Sequence, residues 1–341
     1  MSTNEEILRV ENLYVKYRSI AGIVHAVSDV SFELRKGEVL GIAGESGCGK
    51  TTLGYALMKI LPPNGYIEKG KIVLDGIDIT SLSERKMKDI RWKKISMIFQ
   101  GAMNALNPVL KVGDQIAEVL MYHQGLTKEQ AIDVVKELFE KVGLDPERVN
   151  DYPHQFSGGM KQRVVIAMAL ALNPPIVIAD EPTTALDVTI QAQILDLLKN
   201  LQREMNMSFI MITHDLAIHA QIADRMMIMY AGYVVEQGDV RPVFKRPIHP
   251  YTKGLIGSVP SVMKVKEMKE KKKRLFSIPG APPTLLEPPK GCPFADRCPY
   301  AKEICKKELP PLREVDGRLV RCHFAEELID VPAEELYSSE I

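Results

Sequence analysis

The 341-residue sequence lacks an excess of either charge, because Lys and Arg together number 44 and Asp and Glu also number 44. Proteins that bind nucleic acid usually have a basic excess or a basic stripe, so this balance argues against that class. The one dense basic run, residues 264–274, is interrupted by Glu267 and Glu270. Such a run is typical of a solvated helix or a linker.

The sequence also lacks a long apolar run. Residues 1–12 are acidic and contain no apolar segment of the kind found in signal peptides. The longest apolar stretch, residues 164–172, ends at Asn173 and two prolines before it reaches membrane-spanning length. We therefore expect a cytoplasmic protein whose contact with a membrane passes through a partner.

The first part of the chain predicts a strand–loop–helix unit. Residues 7–40 alternate apolar and polar in short runs, which indicates antiparallel β-structure. Residues 39–43 form an apolar run that meets a glycine-rich turn at Gly44, and residues 50–60 have helical character. From residue 82 to residue 172 the pattern is mainly helical.

Later apolar runs predict further strands. Residues 176–179 and 209–212 are typical of buried strands, and residues 226–236 predict a hairpin that turns at Ala231 and Gly232. Strands and helices in this order predict an α/β fold. After about Gly238 prolines become frequent and periodicity fades, which indicates a separate C-terminal extension.

A phosphate-binding loop is the most specific motif. The sequence Gly44-Glu45-Ser46-Gly47-Cys48-Gly49-Lys50-Thr51 matches GxxxxGK[ST] and lies between a predicted strand and a predicted helix. Glycines allow successive backbone N–H groups to surround phosphate, and the following helix presents its positive end to the same anion. Lys50 supplies a charge for the β- and γ-phosphates, and the Thr51 hydroxyl can bind Mg²⁺.

Polar residues follow the predicted strands. Asp180 and Glu181 end the run 176–179, so Asp180 is the candidate Mg²⁺ ligand and Glu181 the candidate that polarises the attacking water. Gln100 follows the strand-like residues 95–99, where it can reach Mg²⁺ or water, and His214 follows 209–212, where it can contact the γ-phosphate. Ligand sites of α/β proteins form at such strand ends.

A second phosphate-binding surface is predicted at Ser157-Gly158-Gly159. Ser157 is a natural helix N-cap, and the two glycines expose amide groups at the positive end of the helix that runs to Leu172. One γ-phosphate does not fill two such surfaces in one fold. We therefore expect each surface to complete the site of a partner subunit.

These motifs resemble the nucleotide-binding subunit of ABC transporters. The resemblance rests on the loop 44–51, the acidic strand end 176–181, Gln100, the signature 156–160 (FSGGM), Ala185-Leu186-Asp187 and His214. It implies an ABC-type P-loop NTPase core at 1–238 with an antiparallel β subdomain and a helical subdomain at about 101–163. It also implies that ATP is bound by Thr52 and Asp187 in addition to the residues above, and that adenine stacks on Tyr17, with Tyr14 as the alternative.

The sequence also resembles, in more detail, the oligopeptide/dipeptide importer ATPases. This resemblance rests on residues 157–175 and 180–195, on His249-Pro250-Tyr251-Thr252 and on the tail 278–305. The resemblance implies a partner ATPase that is related but distinct, two transmembrane permease subunits and an extracytoplasmic substrate-binding protein. It places the chain on the cytoplasmic face of the membrane, and it makes 239–341 an extension typical of this branch, with a linker at 264–274.

Four cysteines are concentrated in the extension: Cys292, Cys298, Cys305 and Cys322. Four thiolates can hold zinc or a 4Fe–4S cluster, but the spacing matches neither the common zinc patterns nor the ferredoxin patterns. Spacing alone favours an unspecified metal over unrelated buried thiols. The importer resemblance implies a 4Fe–4S cluster with a structural role.

We therefore predict an ATPase subunit that energises an importer of oligopeptides or dipeptides. Relatives of the same importer type handle oligosaccharides or nickel, so import of an oligosaccharide or of nickel is the alternative function. A non-transport ABC ATPase acting on nucleic acid is the rival class, but tandem ATPase halves, a long coiled-coil insertion and a basic patch are all missing from the sequence. A metal-binding regulator with a vestigial ATPase is disfavoured because every catalytic motif is intact.

Overall fold

The computed structural model describes residues 5–101, 105–258 and 278–337. Within these residues two β-sheets pack with helices in an α/β arrangement, as the sequence predicts. The strands are β1 (Glu6–Ser19), β2 (Gly22–Arg35), β3 (Val39–Ala43), β4 (Gly65–Leu74), β5 (Ile77–Asp78), β6 (Ile95–Ile98), β7 (Ile176–Asp180), β8 (Ser208–Ile212), β9 (Arg225–Tyr230), β10 (Tyr233–Asp239), β11 (Arg313–Val315) and β12 (Arg318–Val320).

The helices follow the same chain order. They are α1 (Lys50–Met58), α2 (Glu84–Ile90), α3 (Val112–Gln124), α4 (Lys128–Lys141), α5 (Gly158–Ala169), α6 (Val188–Glu204), α7 (Leu216–Ile222), α8 (Val240–Lys245), α9 (Pro250–Gly257), α10 (Glu303–Lys307), α11 (Ala325–Leu328) and α12 (Ala333–Tyr337). No helix in the described residues has both the length and the apolar composition needed to cross a membrane.

The larger sheet positions the predicted site. Its strand order is β11-β12-β10-β9-β3-β8-β7-β6, and the five strands from β9 to β6 are parallel. Every residue of β3, β7 and β8 is buried, which explains their continuous apolar runs. Because the strands are parallel, the carboxyl ends of β3, β6, β7 and β8 meet at one edge, where α/β ligand sites form.

The smaller sheet is antiparallel, with the order β2-β1-β4-β5. Alternate residues of β1 and β2, such as Leu13, Val15 and Val30, are fully buried against α1 and the larger sheet. This packing fixes β1 and β2 beside the loop that precedes α1. The predicted antiparallel structure at 7–40 is confirmed for residues 7–35, whereas residues 39 and 40 belong to the parallel strand β3. The pairing of β4 with β1 was not predicted.

A helical layer of α3, α4, α5 and α6 covers the other side of the larger sheet. The apolar face of α4 packs into this layer, since Ala131, Val135 and Leu138 are buried and Val134 is half-buried. Thr127 and Gln130 form a capping box at its start. The layer therefore presents the beginning of α5, which contains the signature residues, at the surface.

The C-terminal extension joins the larger sheet. Strand β12 pairs with β10 through Glu236 and Val320, and β11 adds a further antiparallel strand. Sequence patterns do not indicate these strands, because three residues are too few to show a period. The division between 1–238 and 239–341 stays a prediction, and the predicted linker at 264–274 lies outside the described residues.

Candidate functional site

The loop 44–49 connects β3 to α1 at the edge where the parallel strands end. Its glycines Gly44, Gly47 and Gly49 all have positive φ. A Cβ atom on Gly44 would lie 2.2 Å from the carbonyl oxygen of Met229, and one on Gly49 would lie 2.2 Å from that of Ala26. A Cβ atom on Gly47 would meet none of the described residues within 4 Å. The loop therefore packs closely against neighbouring backbone at Gly44 and Gly49, whereas the space beside Gly47 is open.

Lys50 crosses the inside of this loop. Its Nζ atom donates hydrogen bonds to the carbonyl oxygens of Gly44 (2.7 Å) and Glu45 (3.0 Å). Cys48 is buried next to it, and burial raises the pKa of the Cys48 thiol, so this cysteine stays protonated. Ser46 and Gly47 are exposed at the loop tip, where their backbone groups are accessible to an anion.

Tyr17 on β1 lies beside the first turn of α1. Its hydroxyl donates a hydrogen bond of 3.0 Å to the Thr52 hydroxyl. The alternative residue Tyr14 is engaged elsewhere, because the Lys69 ammonium lies 4.0 Å from the centre of its ring. The structure therefore brings Tyr17, and not Tyr14, into contact with the predicted nucleotide residues.

Asp180 ends β7 and is completely buried. Within the described part of the chain, both of its carboxylate oxygens lack a hydrogen-bond partner that meets ordinary geometric limits. Burial raises the pKa of Asp180 to about 6, although the Thr51 hydroxyl and the Lys50 ammonium oppose this rise. An unpartnered buried carboxylate beside a threonine hydroxyl has the oxygen donors that Mg²⁺ prefers, so these residues fit that ion.

Glu181 is held at both carboxylate oxygens. Oε1 lies 2.9 Å from Nδ1 of His214, and Oε2 accepts hydrogen bonds from Gln100 Nε2 (3.0 Å) and the Thr184 hydroxyl (2.8 Å). Its backbone has a φ of 46°, a conformation that costs about 1 kcal/mol or more for a residue other than glycine.

These hydrogen bonds determine the charge of Glu181. Burial raises the pKa of this carboxyl, but the hydrogen bonds from His214 and Thr184, together with the charges of His214 and Lys50, lower the pKa overall. The group is therefore an ionised carboxylate at neutral pH and is able to accept a proton. Thr184 is absent from the residues that we predicted for the site, and its position three residues after Glu181 is the only signal for it in the sequence.

The signature residues begin α5. Ser157 is exposed and caps the helix by accepting a hydrogen bond from the backbone N–H of Met160 (3.4 Å). A Cβ atom on Gly159 would lie 2.7 Å from a methyl carbon of Ile190, so this glycine lets α5 and α6 approach closely. Asp187 caps α6 through the N–H of Ile190 (3.0 Å). Both helix N-termini are therefore formed and accessible.

The prediction of a metal centre at the four C-terminal cysteines is wrong. Among the described residues, which include all four, no group of three or more His, Cys, Asp or Glu side chains is arranged to hold a metal ion. The thiols are free and line a small cavity with Phe294 and Leu328. Burial raises the pKa of Cys292 to about 12 and that of Cys322 to about 11, so both thiols are protonated in this structure. These cysteines pack as small apolar side chains.

The site therefore combines three chemical elements at one edge of the sheet. An anion-binding loop and the N-terminus of α1 suit phosphate, Asp180 with Thr51 suits a divalent cation, and Glu181 suits activation of water. This combination is that of a nucleoside triphosphate hydrolase.

Comparison with known proteins agrees with this geometry. Residues 27–184 match the family model described as ABC transporter. Residues 235–305 match the model described as oligopeptide/dipeptide transporter, C-terminal region.

Similar sequences cover nearly the whole chain. The chain is 51% identical over 312 residues to the oligopeptide transport ATP-binding protein OppD of Bacillus subtilis, covering 91% of this chain and 86% of that protein. It is 50% identical to the dipeptide transport ATP-binding protein DppD of the same organism, covering 90% of each. It is 48% identical to OppD of Escherichia coli, covering 93% of each.

Solved structures share the core. A dimeric ATP-binding cassette in a post-hydrolysis state, bound to ADP and Pi, is 30% identical with a TM-score of 0.62 and covers 69% of this chain and 99% of its own. The protein cbiO1 of Clostridium perfringens, part of an ABC transporter complex, is 27% identical with a TM-score of 0.63. The match covers 78% of this chain and 100% of the cbiO1 chain.

Proposed function

Because this chain belongs to the ATP-binding subunits of ABC transporters, in the oligopeptide/dipeptide branch, we infer that it binds and hydrolyses ATP to energise the import of oligopeptides or dipeptides. The observation that supports this most directly is the Glu181 carboxylate, held by Gln100, Thr184 and His214 at the strand end that follows Asp180. Such an arrangement suits the activation of water next to a bound triphosphate.

We propose the following roles for the site residues. Gly44, Ser46, Gly47, Cys48 and Gly49 surround the phosphates with backbone N–H groups, Lys50 contacts the β- and γ-phosphates, and Thr52 and Tyr17 lie toward the base. Thr51, Asp180 and Gln100 would hold Mg²⁺, which when bound neutralises phosphate charge and orients the γ-phosphoryl group. The orphaned oxygens of Asp180 support this assignment.

In the hydrolytic step a water molecule attacks the γ-phosphorus. Glu181 accepts a proton from that water while the bond between the γ-phosphorus and the β–γ bridging oxygen breaks, so the products are ADP and inorganic phosphate. His214 and Gln100 keep the Glu181 carboxylate in place throughout. Ser157, Gly158 and Gly159 would act on ATP held by a second ATPase subunit, since the N-terminus of α5 suits an anion brought by a partner. Asp187, which caps α6, would lie beside the same ATP.

We propose that the second ATPase is a related but distinct chain, and that the pair binds two permease subunits fed by an extracytoplasmic substrate-binding protein. The chain would then lie peripherally at the membrane. A cleft of about 530 Å³ supports a permease contact, because exposed apolar residues lie in it or beside it. These are Val109, Leu110 and Tyr122. The adjoining residues 102–104 lie outside the described residues.

Co-expression tests these partners. The chain should co-purify in detergent with its permease subunits and a second ATPase, and the ATPase activity of the complex should rise with substrate-loaded binding protein. Added DNA or RNA should leave that activity unchanged. Activation by nucleic acid without permease would instead indicate the non-transport class, and stimulation only by an oligosaccharide or nickel would replace the peptide cargo.

A further inference from the structure

The C-terminal extension contacts the phosphate-binding loop directly through Arg297. This residue ends a short 3₁₀ turn at Ala295–Arg297, 252 positions after Glu45. Its guanidinium donates two hydrogen bonds to the Glu45 carboxylate, Nη1 to Oε2 at 2.8 Å and Nη2 to Oε1 at 3.0 Å. The side chain of Arg297 is only 7% exposed and that of Glu45 is 26% exposed. Bidentate pairs of this kind are strong and restrict geometry.

The arginine itself is fixed from two further directions. Its Nε atom donates to the carbonyl oxygen of Pro279 (2.7 Å), and Nη1 also donates to the Tyr230 hydroxyl (3.1 Å). The ring of Tyr230 packs against those of Tyr251 and Phe294, with centroids 4.6 Å and 5.2 Å away. Arg297 therefore has little freedom to follow Glu45 if the loop moves.

Every polar group of Glu45 has a partner. Its carboxylate is held by Arg297, its backbone N–H donates to the Tyr251 hydroxyl (2.8 Å), and its carbonyl oxygen accepts from Lys50 (3.0 Å). Arg297 and Tyr251 both belong to the chain after residue 238. Glu45 thus connects these two side chains of the extension to Lys50, the group that binds phosphate.

The negative charge of Glu45 links the Arg297–Glu45 pair to the binding of ATP. A carboxylate in the second position of a loop that binds a triphosphate would repel its ligand unless a cation compensates it. Lys50 donates to the carbonyl oxygens of Gly44 and Glu45 and is required for the phosphates, whereas Arg297 is the cation that pairs with the Glu45 carboxylate. We propose that Arg297 is a positioning residue for the nucleotide site, which neutralises Glu45 and holds the loop in the shape that binds ATP.

This inference rests on the proposed function, since it assumes that the loop binds ATP. It predicts that Arg297→Met raises the Kd for Mg-ATP about tenfold, because one uncompensated negative charge then lies near the phosphates. The kcat of the assembled complex at saturating ATP should change less than about twofold, because the groups around Glu181 are untouched. Arg313→Met is the matched control, since Arg313 pairs with Glu326 inside the extension.

A second substitution separates positioning from packing. In the double variant Arg297→Met/Glu45→Gln the unpaired carboxylate is gone, so the Kd should return to within about threefold of that of the wild type. If Arg297 only stabilises the extension, the double variant will bind as weakly as Arg297→Met or more weakly. That result, or an unchanged Kd in Arg297→Met, would overturn the proposal.

Nucleotide binding is measured by fluorescence titration on the full-length chain, with the melting temperature recorded for each variant. If Arg297→Met does not fold, Arg297→Lys is the variant that tests the proposal. It keeps the charge but loses the bidentate geometry, so a rise of about threefold in Kd is expected, and an unchanged Kd would contradict the proposal.

Lys50→Ala separately tests the premise that the loop binds ATP. Wild-type protein that fails to bind ATP in a Lys50-dependent manner would refute the proposed function rather than the role of Arg297.

Discussion

The Nδ1 atom of His214 lies 2.9 Å from the Oε1 atom of Glu181, while Gln100 and Thr184 donate to the other oxygen of the same carboxylate. A carboxylate bonded at both oxygens is restricted in rotation, so its position relative to a bound γ-phosphate is set by strands β6, β7 and β8 together. Because none of these hydrogen bonds involves the loop 44–49, a change at Glu181 should affect hydrolysis without affecting nucleotide binding.

Glu181→Gln should leave ATP binding intact and nearly stop hydrolysis. The amide keeps the size of the side chain but cannot accept the proton of the attacking water, so we expect a loss of kcat of about 10² or more. Single-turnover ATPase assays and nucleotide binding on the same preparation measure both effects. Glu204→Gln, at the exposed end of α6, is the matched control. A normal rate in Glu181→Gln would show that another residue activates the water.

Thr184 should influence the pH dependence of turnover. Its hydroxyl is one of the hydrogen bonds that lower the pKa of Glu181, so Thr184→Val removes that contribution and the pKa rises. Because Glu181 works in its ionised form, the acid limb of the pH–kcat profile should move to higher pH. Thr184→Ser keeps the hydroxyl and should retain the wild-type profile. Superimposable profiles for the valine and wild-type forms would contradict this role.

Substitution of Gly47 tests whether the open side of the loop binds ATP, and Gly76 is the matched control glycine. Gly47 and Gly76 have φ values of 79° and 75°, and a Cβ atom at either position would meet nothing within 4 Å in the described part of the chain. Alanine at each should therefore cost the same backbone strain, about 1 kcal/mol of unfolding free energy. Only Gly47→Ala should weaken ATP binding, since its open side faces the ligand. Equal ATP affinity in the two variants would place the phosphates elsewhere.

Asp180 should reduce the stability of the nucleotide-free protein at neutral pH. Its pKa is raised from 3.8 to about 6 by burial, so the unfolded chain loses this proton at lower pH than the folded chain. By linkage, the unfolding free energy falls as pH rises between about 4 and 6, by about 3 kcal/mol in total.

Asp180→Asn removes this cost. Urea unfolding at pH 7.5 without Mg²⁺ or nucleotide should show the variant more stable than wild type by about 1–3 kcal/mol, with the difference narrowing toward pH 4. ATP hydrolysis should be lost. Asp133→Asn, at an exposed position on α4, should change neither property. A variant that is less stable than wild type at pH 7.5 would indicate that Asp180 has a compensating partner.

The sequence was sufficient to predict the parts of the site that are local. The loop 44–49 lies between β3 and α1 as expected, Ser157 caps α5, and β7 and β8 end at Asp180 and near His214. These features are recognisable because each depends on a few adjacent residues: positive φ at glycine, a capping hydroxyl or a buried apolar strand.

The parts that the sequence did not predict depend on distant contacts. Arg297 and Glu45 are separated by 252 positions, and neither residue type is unusual where it stands. Strands β11 and β12 have three residues each and are defined by pairing with β10 rather than by a period. The cysteine prediction failed for a related reason. Spacing along the chain, which favoured an unspecified metal, does not determine whether four thiols converge on an ion or pack in an apolar cavity, and the 4Fe–4S cluster was implied only by the family resemblance.

The most direct measurement is uptake of a labelled oligopeptide into proteoliposomes that contain the complete complex, with binding protein outside and ATP inside. We predict uptake that requires ATP and is lost when this chain has the Glu181→Gln substitution, although the complex still assembles and binds ATP. Peptide uptake that continues in the Glu181→Gln complex, or a wild-type complex that hydrolyses ATP without moving peptide, would contradict the account.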